Sequence, residues 1–167
     1  ETICLDAGKP GIANFAEAKI CANIFYELAK RFQLDEITII APYRKQVEVI
    51  RKTLSLEELD KQIPLNKTLK IREWQNFLKT KISTVDSFQG RESDVVIICY
   101  VRSNKNDGIG FIDNLNRINV AHTRCRREMH IVGDFECLKS QAKNQVFHRL
   151  EKAFRRDGEI INIQQTL

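Results

Sequence analysis

Apolar and polar residues follow one another along the chain in a pattern that predicts strands alternating with helices. A short apolar run at residues 2–7 predicts the first strand. Asn14 and, three residues later, Glu17 form the pair of side chains that can satisfy free backbone donors at a helix start. The helix itself is predicted by apolar residues at helical spacing: Ala18, Ala22, Phe25, Ala29 and Phe32.

The same pattern repeats once and is then interrupted. Residues 37–41 (ITIIA) predict a second strand, and the apolar residues Val47, Ile50 and Leu54 predict a helix with one apolar face. Residues 55–80 break the pattern, because their leucines and charges recur with no steady period. We interpret this segment as an insertion or irregular helical excursion within a single domain spanning residues 1–167.

The second half of the chain predicts a parallel sheet. Residues 94–101 are continuously apolar, which is typical of a strand covered on both faces. Alternating strands and helices predict a doubly wound α/β sheet, whose ligands bind at the carboxyl ends of the strands. Further strands are predicted at residues 81–85, 128–134 and 159–163, and further helices at residues 114–124 and 144–156.

Composition narrows the class of protein. The 167 residues, 43% hydrophobic and 29% charged, suffice for one globular domain with its own core. The net charge of +5 favours an anionic partner such as a nucleic acid or nucleotide. The five cysteines lack a CxxC pair and a histidine at metal-ligand spacing, so we expect reduced thiols in an intracellular protein and no metal site. No run is apolar and long enough for a membrane span.

The sequence lacks the motifs of several common binding and catalytic sites. The Gly-Lys pair at Gly8 and Lys9 is followed by proline, and no GxxxxGK[ST] phosphate loop is present. Asp35 and Glu36 precede an apolar strand instead of following it, so we interpret them as a solvated turn and not as a magnesium site. The histidines have no glycine-framed nucleophile nearby, which argues against a hydrolase triad.

The densest set of polar side chains lies in residues 83–104. A polar loop from Asp86 to Glu92 follows a short strand, and Arg102, Ser103 and Asn104 follow the buried strand. Such side chains donate directional hydrogen bonds where a sheet opens, which suits contact with a phosphate backbone or nucleotide. A polar connection without any ligand fits the same residues, and their chemistry alone leaves both possibilities open.

Four stretches resemble motifs of superfamily 1 helicases in their usual order. The stretch NFAEA (14–18) precedes APYRKQ (41–46), which is similar to motif IV, and TVDSFQGRESDVVI (84–97) resembles motif V. The stretch NRINVAHTRCR (116–126) resembles motif VI. The most similar group is the branch typified by the nonsense-mediated-decay regulator, senataxin and the immunoglobulin-mu-binding helicase. The resemblance implies a second RecA-like domain: a P-loop NTPase-like, three-layer α/β fold with a mostly parallel sheet and no phosphate loop of its own.

The resemblance also implies roles for individual residues. Arg124 stands at the position of the arginine finger, whose permanently charged guanidinium stabilises charge on a transferred phosphoryl group. We expect it to point along the ligand edge of the sheet. The residues expected to bind nucleotide are Tyr43, Arg44, Gln46, Gly90, Glu92 and Arg126. The residues expected to bind nucleic acid are Thr84, Ser87, Arg102 and Asn104.

The implied function is that of a motor domain in an ATP-dependent helicase acting on single-stranded RNA or DNA in the cytoplasm or nucleus. ATP with Mg²⁺ is expected to be held mainly by an N-terminal RecA-like domain in the same polypeptide, so this chain alone is expected to be an inactive fragment. The alternative is a non-hydrolysing module that binds RNA or protein. It is compatible with two departures from the family, namely His122 in place of an aliphatic residue and Cys125 in place of alanine, with the irregular segment at residues 51–80, and with the absent phosphate loop.

Overall fold

The structure is a computed structural model, and it describes residues 3–5, 11–63, 71–104 and 108–163. The strands are β1 (Ile3–Leu5), β2 (Gly11–Ala13), β3 (Ile37–Ala41), β4 (Ile82–Thr84), β5 (Ser93–Cys99) and β6 (Cys125–Val132). The helices are α1 (Phe15–Ala29), α2 (Arg44–Thr53), α3 (Leu56–Gln62), α4 (Ile71–Thr80), α5 (Val85–Phe88), α6 (Leu115–His122), α7 (Phe135–Gln141) and α8 (Val146–Asp157).

Four strands form a parallel sheet in the order β4-β3-β5-β6. The chain runs from β3 to β4 on one side and then crosses to β5 on the other side, so the winding reverses between β3 and β5. In open α/β sheets a crevice forms at such a point, outside the carboxyl ends of the two strands, and ligands bind there. The predicted α/β class is confirmed, and the parallel sheet is consistent with a RecA-like fold.

Successive residues of the central strands face two different helical layers. Ile39 and Ile97 belong to a buried cluster with side chains of α1, α2, α3 and α4. Ile40, Val96 and Ile98 belong to a second buried cluster with side chains of α5, α6, α7 and α8. This alternation explains why β5 is continuously apolar in the sequence, and it confirms the predicted three-layer arrangement.

Two predicted strands do not join the parallel sheet. Residues 3–5 form an antiparallel pair with β2, because the connection between them is too short for the crossover that parallel pairing requires. Residues 159–163 have no regular secondary structure, and Ile160, Ile161 and Ile163 are exposed. The strand predicted there is wrong, since a β-branched run becomes a strand only where another strand pairs with its backbone.

Two helices occupy the described part of the segment that interrupts the sequence pattern. In α3, Leu59 is fully buried, and in α4, Trp74 and Phe77 are buried against Phe25 of α1. The apolar face of α4 is narrow, which is why its period is hard to see among the neighbouring charges. Residues 64–70 lie outside the described residues.

Candidate nucleotide and nucleic-acid site

Tyr43 and Arg102 meet at the carboxyl edge of the sheet, where β3 and β5 end. Arg102 Nε donates a hydrogen bond of 3.1 Å to the Tyr43 hydroxyl, and Arg102 Cζ lies 5.6 Å from the centre of the tyrosine ring. Both side chains are half-buried. Arg44, the next residue and the first of α2, is exposed. These residues therefore line the point where the topology predicts a ligand crevice.

Thr84 and Ser87 lie at the same edge, because Thr84 pairs in register with Ala41 at the end of β3. Thr84 caps the short helix α5: its Oγ1 accepts a hydrogen bond of 3.3 Å from the Ser87 backbone N–H and lies 2.8 Å from Ser87 Oγ. The polar stretch after β4, predicted as a loop, thus begins with a helical turn. Ser87 is exposed, so its hydroxyl is accessible to a ligand at this edge.

Asn104 is anchored to α7. Its carbonyl oxygen accepts hydrogen bonds from Gln141 Nε2 and from the Cys137 thiol, and its Nδ2 donates to Gly108 O at 3.3 Å. Gly108 and Gly110 have φ of +62° and +55°, so both bends use the backbone freedom of glycine. Asn104 is half-buried and completes the set of predicted residues at the carboxyl edge.

Four of the remaining predicted residues, Gly90, Glu92, Arg124 and Arg126, lie at the opposite, amino edge of the sheet. Gly90, with φ of +82°, and Glu92 precede β5, and both are exposed. Arg124 directly precedes β6, and its carbonyl accepts a hydrogen bond of 3.0 Å from the Ser93 N–H at the start of β5. Because β5 and β6 run parallel, the residues that precede them lie together at the amino edge, at the other end of the strands from the carboxyl edge.

The expectation that Arg124 points along the carboxyl edge is wrong. Helix α6 runs back across the sheet between the end of β5 and the start of β6, and so it delivers Arg124 to the amino edge. The sequence prediction began β6 at residue 128, whereas the strand begins at Cys125. The assumption that all ligands bind at carboxyl ends caused the error, because the order of elements already places a residue between α6 and β6 at the amino end.

Arg126 and Arg127 form an irregularity in β6. Cys125 pairs with Ser93 and Glu128 with Val95, so two arginines oppose the single residue Asp94. Such β-bulges re-aim side chains and are frequent beside functional sites.

The three neighbouring arginines have different partners. Arg126 Nε donates a 3.0 Å hydrogen bond to Glu92 Oε2. Arg127 Nη1 lies 3.7 Å from Glu36 Oε1, and its guanidinium lies 5.1 Å from the ring centre of Phe32. Arg124 is half-buried, and among the described residues its buried Nε has no hydrogen-bond partner. An unsatisfied buried donor costs roughly 1–3 kcal/mol, so this orphan is the kind of group that a bound anion satisfies.

Gln46 is fully buried, and its amide is bound to Asn14 and β5. The Asn14 N–H donates a 2.7 Å hydrogen bond to Gln46 Oε1, and Gln46 Nε2 donates to Asn14 O at 3.0 Å. Gln46 Nε2 also lies 3.3 Å from Cys99 Sγ. Sequence reasoning placed Gln46 near a nucleotide and missed this contact with the start of α1, which no local pattern reveals.

His122 fits into the fold through Tyr100. The Tyr100 hydroxyl lies 2.6 Å from His122 Nε2, at the end of α6. Burial lowers the pKa of His122 to about 4, because the charged imidazolium loses its hydration there. Burial also raises the pKa of Tyr100, so both groups are neutral at pH 7.

The stability of the fold is expected to depend on His122 between pH 4 and 6.5. In this window His122 of the unfolded chain binds a proton that the folded chain excludes, so the contribution of His122 to the unfolding free energy rises as the pH increases from about 4 to 6.5. Glu17, whose pKa is raised to about 7 by burial, contributes with the opposite sign, and the effect of His122 is therefore measured as the difference between the wild type and the variant. The gain is about 2–3 kcal/mol after allowance for partial exposure. Urea unfolding between pH 4.5 and 7.5 measures this gain. The gain is expected to be absent in His122→Gln, whose amide is expected to keep the hydrogen bond to Tyr100. The control is His148→Gln, which removes an exposed imidazole; a control curve identical to that of His122→Gln would contradict this prediction.

Two further properties of the described residues bear on function. They contain no group of three or more histidine, cysteine, aspartate or glutamate side chains that could hold a metal ion. None of their helices has both the length and the apolar character that crossing a membrane requires.

Comparison with known proteins identifies relatives. Residues 5–136 match the model of a family described as AAA domain. Helicase sen1 of Schizosaccharomyces pombe is 33% identical over 132 residues, which are 76% of this chain and 7% of that protein. DNA polymerase alpha-associated DNA helicase A of Saccharomyces cerevisiae is 39% identical over 105 residues, 63% of this chain and 13% of that protein. Regulator of nonsense transcripts 1 of Dictyostelium discoideum is 33% identical over 156 residues, 92% of this chain and 11% of that protein. The chain thus spans only a small part of each relative.

Proposed function

Because the chain belongs to the AAA domain family, as the C-terminal helicase region of superfamily 1 helicases, we propose that it is one half of an ATP-dependent motor. The other half is a preceding RecA-like domain in the same polypeptide, which holds most of the ATP and its Mg²⁺. The motor acts on single-stranded RNA or DNA in the cytoplasm or nucleus. The net charge of +5 supports an anionic substrate.

The single observation that carries this proposal is that the buried Nε of Arg124 has no hydrogen-bond partner among the described residues. Its neighbours Arg126 and Arg127 have carboxylate partners within the chain, whereas the buried Nε of Arg124 has no partner among the described residues. We propose that the γ-phosphate of ATP, presented by the preceding domain, is that partner. A planar guanidinium suits this role because it binds phosphate oxygens through two parallel hydrogen bonds and stays charged at any physiological pH.

In the proposed motor, the two edges of the sheet bind different ligands. We assign nucleotide to the amino edge, where Gly90, Glu92 and Arg126 accompany Arg124. We assign nucleic acid to the carboxyl edge, where contacts to phosphate and sugar come mainly from arginine, hydroxyl and amide groups. Its residues are Thr84, Ser87, Arg102 and Asn104, joined by Tyr43 and Arg44, which sequence resemblance had assigned to the nucleotide. Gln46 supports this edge from the interior, since it is fully buried.

The alternative, a non-hydrolysing binding module, has less support. Besides the segment at residues 51–80 and the absent phosphate loop, it draws on His122 and Cys125, and both of these residues make contacts within the fold. His122 bonds to Tyr100, and Cys125 Sγ lies 3.6 Å from the Asp94 carbonyl. The alternative also assigns no ligand to the buried Nε of Arg124, which has no partner among the described residues.

The nucleic-acid assignment is tested by replacing Arg102. For a contact with one phosphate, Arg102→Ala is expected to weaken binding of a single-stranded oligonucleotide and to flatten the plot of log affinity against log salt by about 0.7. Arg102→Lys keeps the charge and is expected to keep most of that slope. The measurement is fluorescence anisotropy at several salt concentrations. The control is Arg149→Ala on the exposed face of α8; an Arg102→Ala slope equal to that of this control would reject the assignment.

A further inference from the structure

Val101, between Tyr100 and Arg102, has a backbone conformation that β-branched residues rarely adopt. Its φ is +73°, and the Arg102 N–H donates a 2.8 Å hydrogen bond to Tyr100 O. Together these describe a three-residue γ-turn of the rare, strained hand. Val101 is fully buried. A strained residue of this kind persists only where its surroundings impose the conformation, and such residues cluster at functional sites.

The start of α1 imposes this conformation by binding both backbone groups of Val101. The Val101 N–H donates a 2.7 Å hydrogen bond to Glu17 Oε2, and Asn14 Nδ2 donates to Val101 O at 3.2 Å. Asn14 Nδ2 also donates to Glu17 Oε1 at 3.2 Å, so the two clamping side chains hold each other. Both are almost completely buried, with exposures of 3% and 5%.

Glu17 can bind Val101 because Gln46 accepts the hydrogen bond that Glu17 would accept in a capping box. In a capping box the glutamate at this position accepts the backbone N–H of the capping residue, here Asn14. That donor goes to Gln46 instead, and only the other half of the box, from the Glu17 N–H to Asn14 Oδ1 at 3.1 Å, is made. A sequence pattern that suffices for a helix start therefore supplies a buried carboxylate to a residue 84 positions away.

We propose that Asn14 and Glu17 are positioning residues for the carboxyl edge: they hold the Val101 turn so that Arg102 lies against Tyr43. The γ-turn fixes the direction in which the chain leaves β5, and Arg102 is the next residue. Without the two contacts Val101 relaxes to negative φ, and the Arg102 side chain moves away from the Tyr43 hydroxyl. The proposal rests on the proposed function only for what Arg102 binds; how Arg102 is held is a property of the fold.

The charge state of Glu17 matters to this clamp. Burial raises the pKa of Glu17 to about 7, although the Val101 N–H and the Cys99 thiol oppose the shift, and Asp134 adds to it. Among the described residues, the titratable groups that act on Glu17 are Cys99, buried in β5, and Asp134 after β6, and Cys21 of α1 in turn interacts with Cys99. A carboxylate accepts all three of its hydrogen bonds, from Asn14, Val101 and Cys99, whereas a protonated carboxyl has one oxygen that must donate. The clamp is therefore expected to loosen as the pH falls through about 7.

The test follows the Nε–H resonance of Arg102 in ¹H–¹⁵N spectra of this chain, assigned with Arg102→Lys. Glu17→Ala is expected to shift this resonance to the position of a solvent-exposed arginine. The wild-type resonance is expected to titrate with a midpoint near pH 7, and in Glu17→Gln, which retains one acceptor oxygen for Val101, the titration is expected to vanish. The control is Glu27→Ala, which removes an exposed carboxylate of the same helix. A folded Glu17→Ala protein with an unshifted Arg102 resonance would overturn the proposal.

A second variant covers the case in which Glu17→Ala does not fold. Asn14→Ser keeps an oxygen that caps α1 but removes the amide that donates to Val101 O, and it is expected to shift the Arg102 resonance in the same direction. An unshifted resonance in this variant counts equally against the proposal.

Oligonucleotide binding distinguishes the positioning role of Glu17 from the proposed nucleic-acid function of the carboxyl edge. If Glu17 acts through Arg102, Glu17→Ala weakens binding by the same factor as Arg102→Ala, and the double variant is no weaker than Arg102→Ala alone. Additive losses in the double variant would show that Glu17 acts elsewhere. A wild-type chain that binds no oligonucleotide, but whose Arg102 resonance responds to Glu17, would reject the proposed function of the edge and leave the positioning role intact.

Discussion

Replacing Arg124 with alanine is expected to abolish nucleic-acid-stimulated ATP hydrolysis in a protein that joins this chain to a preceding RecA-like domain with a phosphate loop. The expected loss in kcat is roughly 10³- to 10⁵-fold, the range found for arginine fingers. The reason is that charge develops on the γ-phosphoryl oxygens in the transition state, and in the proposed motor the guanidinium of Arg124 stabilises that charge. The measurement is the steady-state rate of phosphate release at saturating single-stranded oligonucleotide, together with KM for ATP.

Two variants make the Arg124 experiment specific. Arg124→Lys keeps a charge but lacks the planar fork, so it is expected to recover only part of the rate. Arg127→Ala removes a nearby arginine that already contacts Glu36 and Phe32, and its kcat is expected to stay close to that of the wild type. An Arg124→Ala protein with wild-type kcat would exclude the arginine-finger role. The chain without a preceding domain is expected to show no hydrolysis, because it has no phosphate loop of its own.

The sequence predicted the position of some candidate residues in the sheet but not that of others. Local patterns define β3 and β5, and the polar residues that follow them are therefore placed correctly at the carboxyl edge. Arg124, Arg126 and Arg127 look alike in the sequence. In the fold they differ in burial and in partners, and the carboxylate partners Glu92 and Glu36 lie more than thirty positions earlier in the chain. Such tertiary partners decide which arginine is left unsatisfied, and no local pattern contains that information.

The same limit applies to the start of α1. The Asn14 and Glu17 pattern predicts a helix start, and the helix begins there as predicted. The pattern is also compatible with a purely local capping box, and only the folded chain shows that Gln46 takes one donor and frees Glu17 for Val101. A strained φ at Val101 is likewise invisible in the sequence, because valine ordinarily favours extended backbone.

Residues 100–102 follow β5, and the two outer residues contact different parts of the fold. Tyr100 contacts His122 at the end of α6, two residues before Arg124, and Arg102 contacts Tyr43 at the carboxyl edge. The strained turn at Val101 lies between them. The two chain neighbours of Val101 thus contact His122 and Tyr43, which lie close in sequence to predicted residues of the two edges.

Replacing Phe77 with alanine is expected to have the largest effect on stability. Phe77 is 2% exposed, and its ring stacks on Phe25 of α1 and on Trp74, with centroid distances of 4.8 and 5.7 Å. The loss of a buried phenylalanine typically costs about 3–5 kcal/mol, since transfer energy is lost and a cavity remains. The cost at this position is expected in the upper part of that range, because the neighbouring rings are rigid and cannot collapse into the space.

Urea unfolding followed by Trp74 fluorescence measures this effect directly, because Trp74 is the single tryptophan of the chain and lies in the same aromatic cluster. The emission of folded Phe77→Ala is also expected to shift to longer wavelength as water gains access to the indole. The control is Phe15→Ala, which removes a ring that is 43% exposed at the start of α1 and is expected to change stability by no more than about 0.5 kcal/mol. If Phe77→Ala costs as little as this control, α4 does not pack on α1 in solution, and the segment between α2 and β4 is not part of the core.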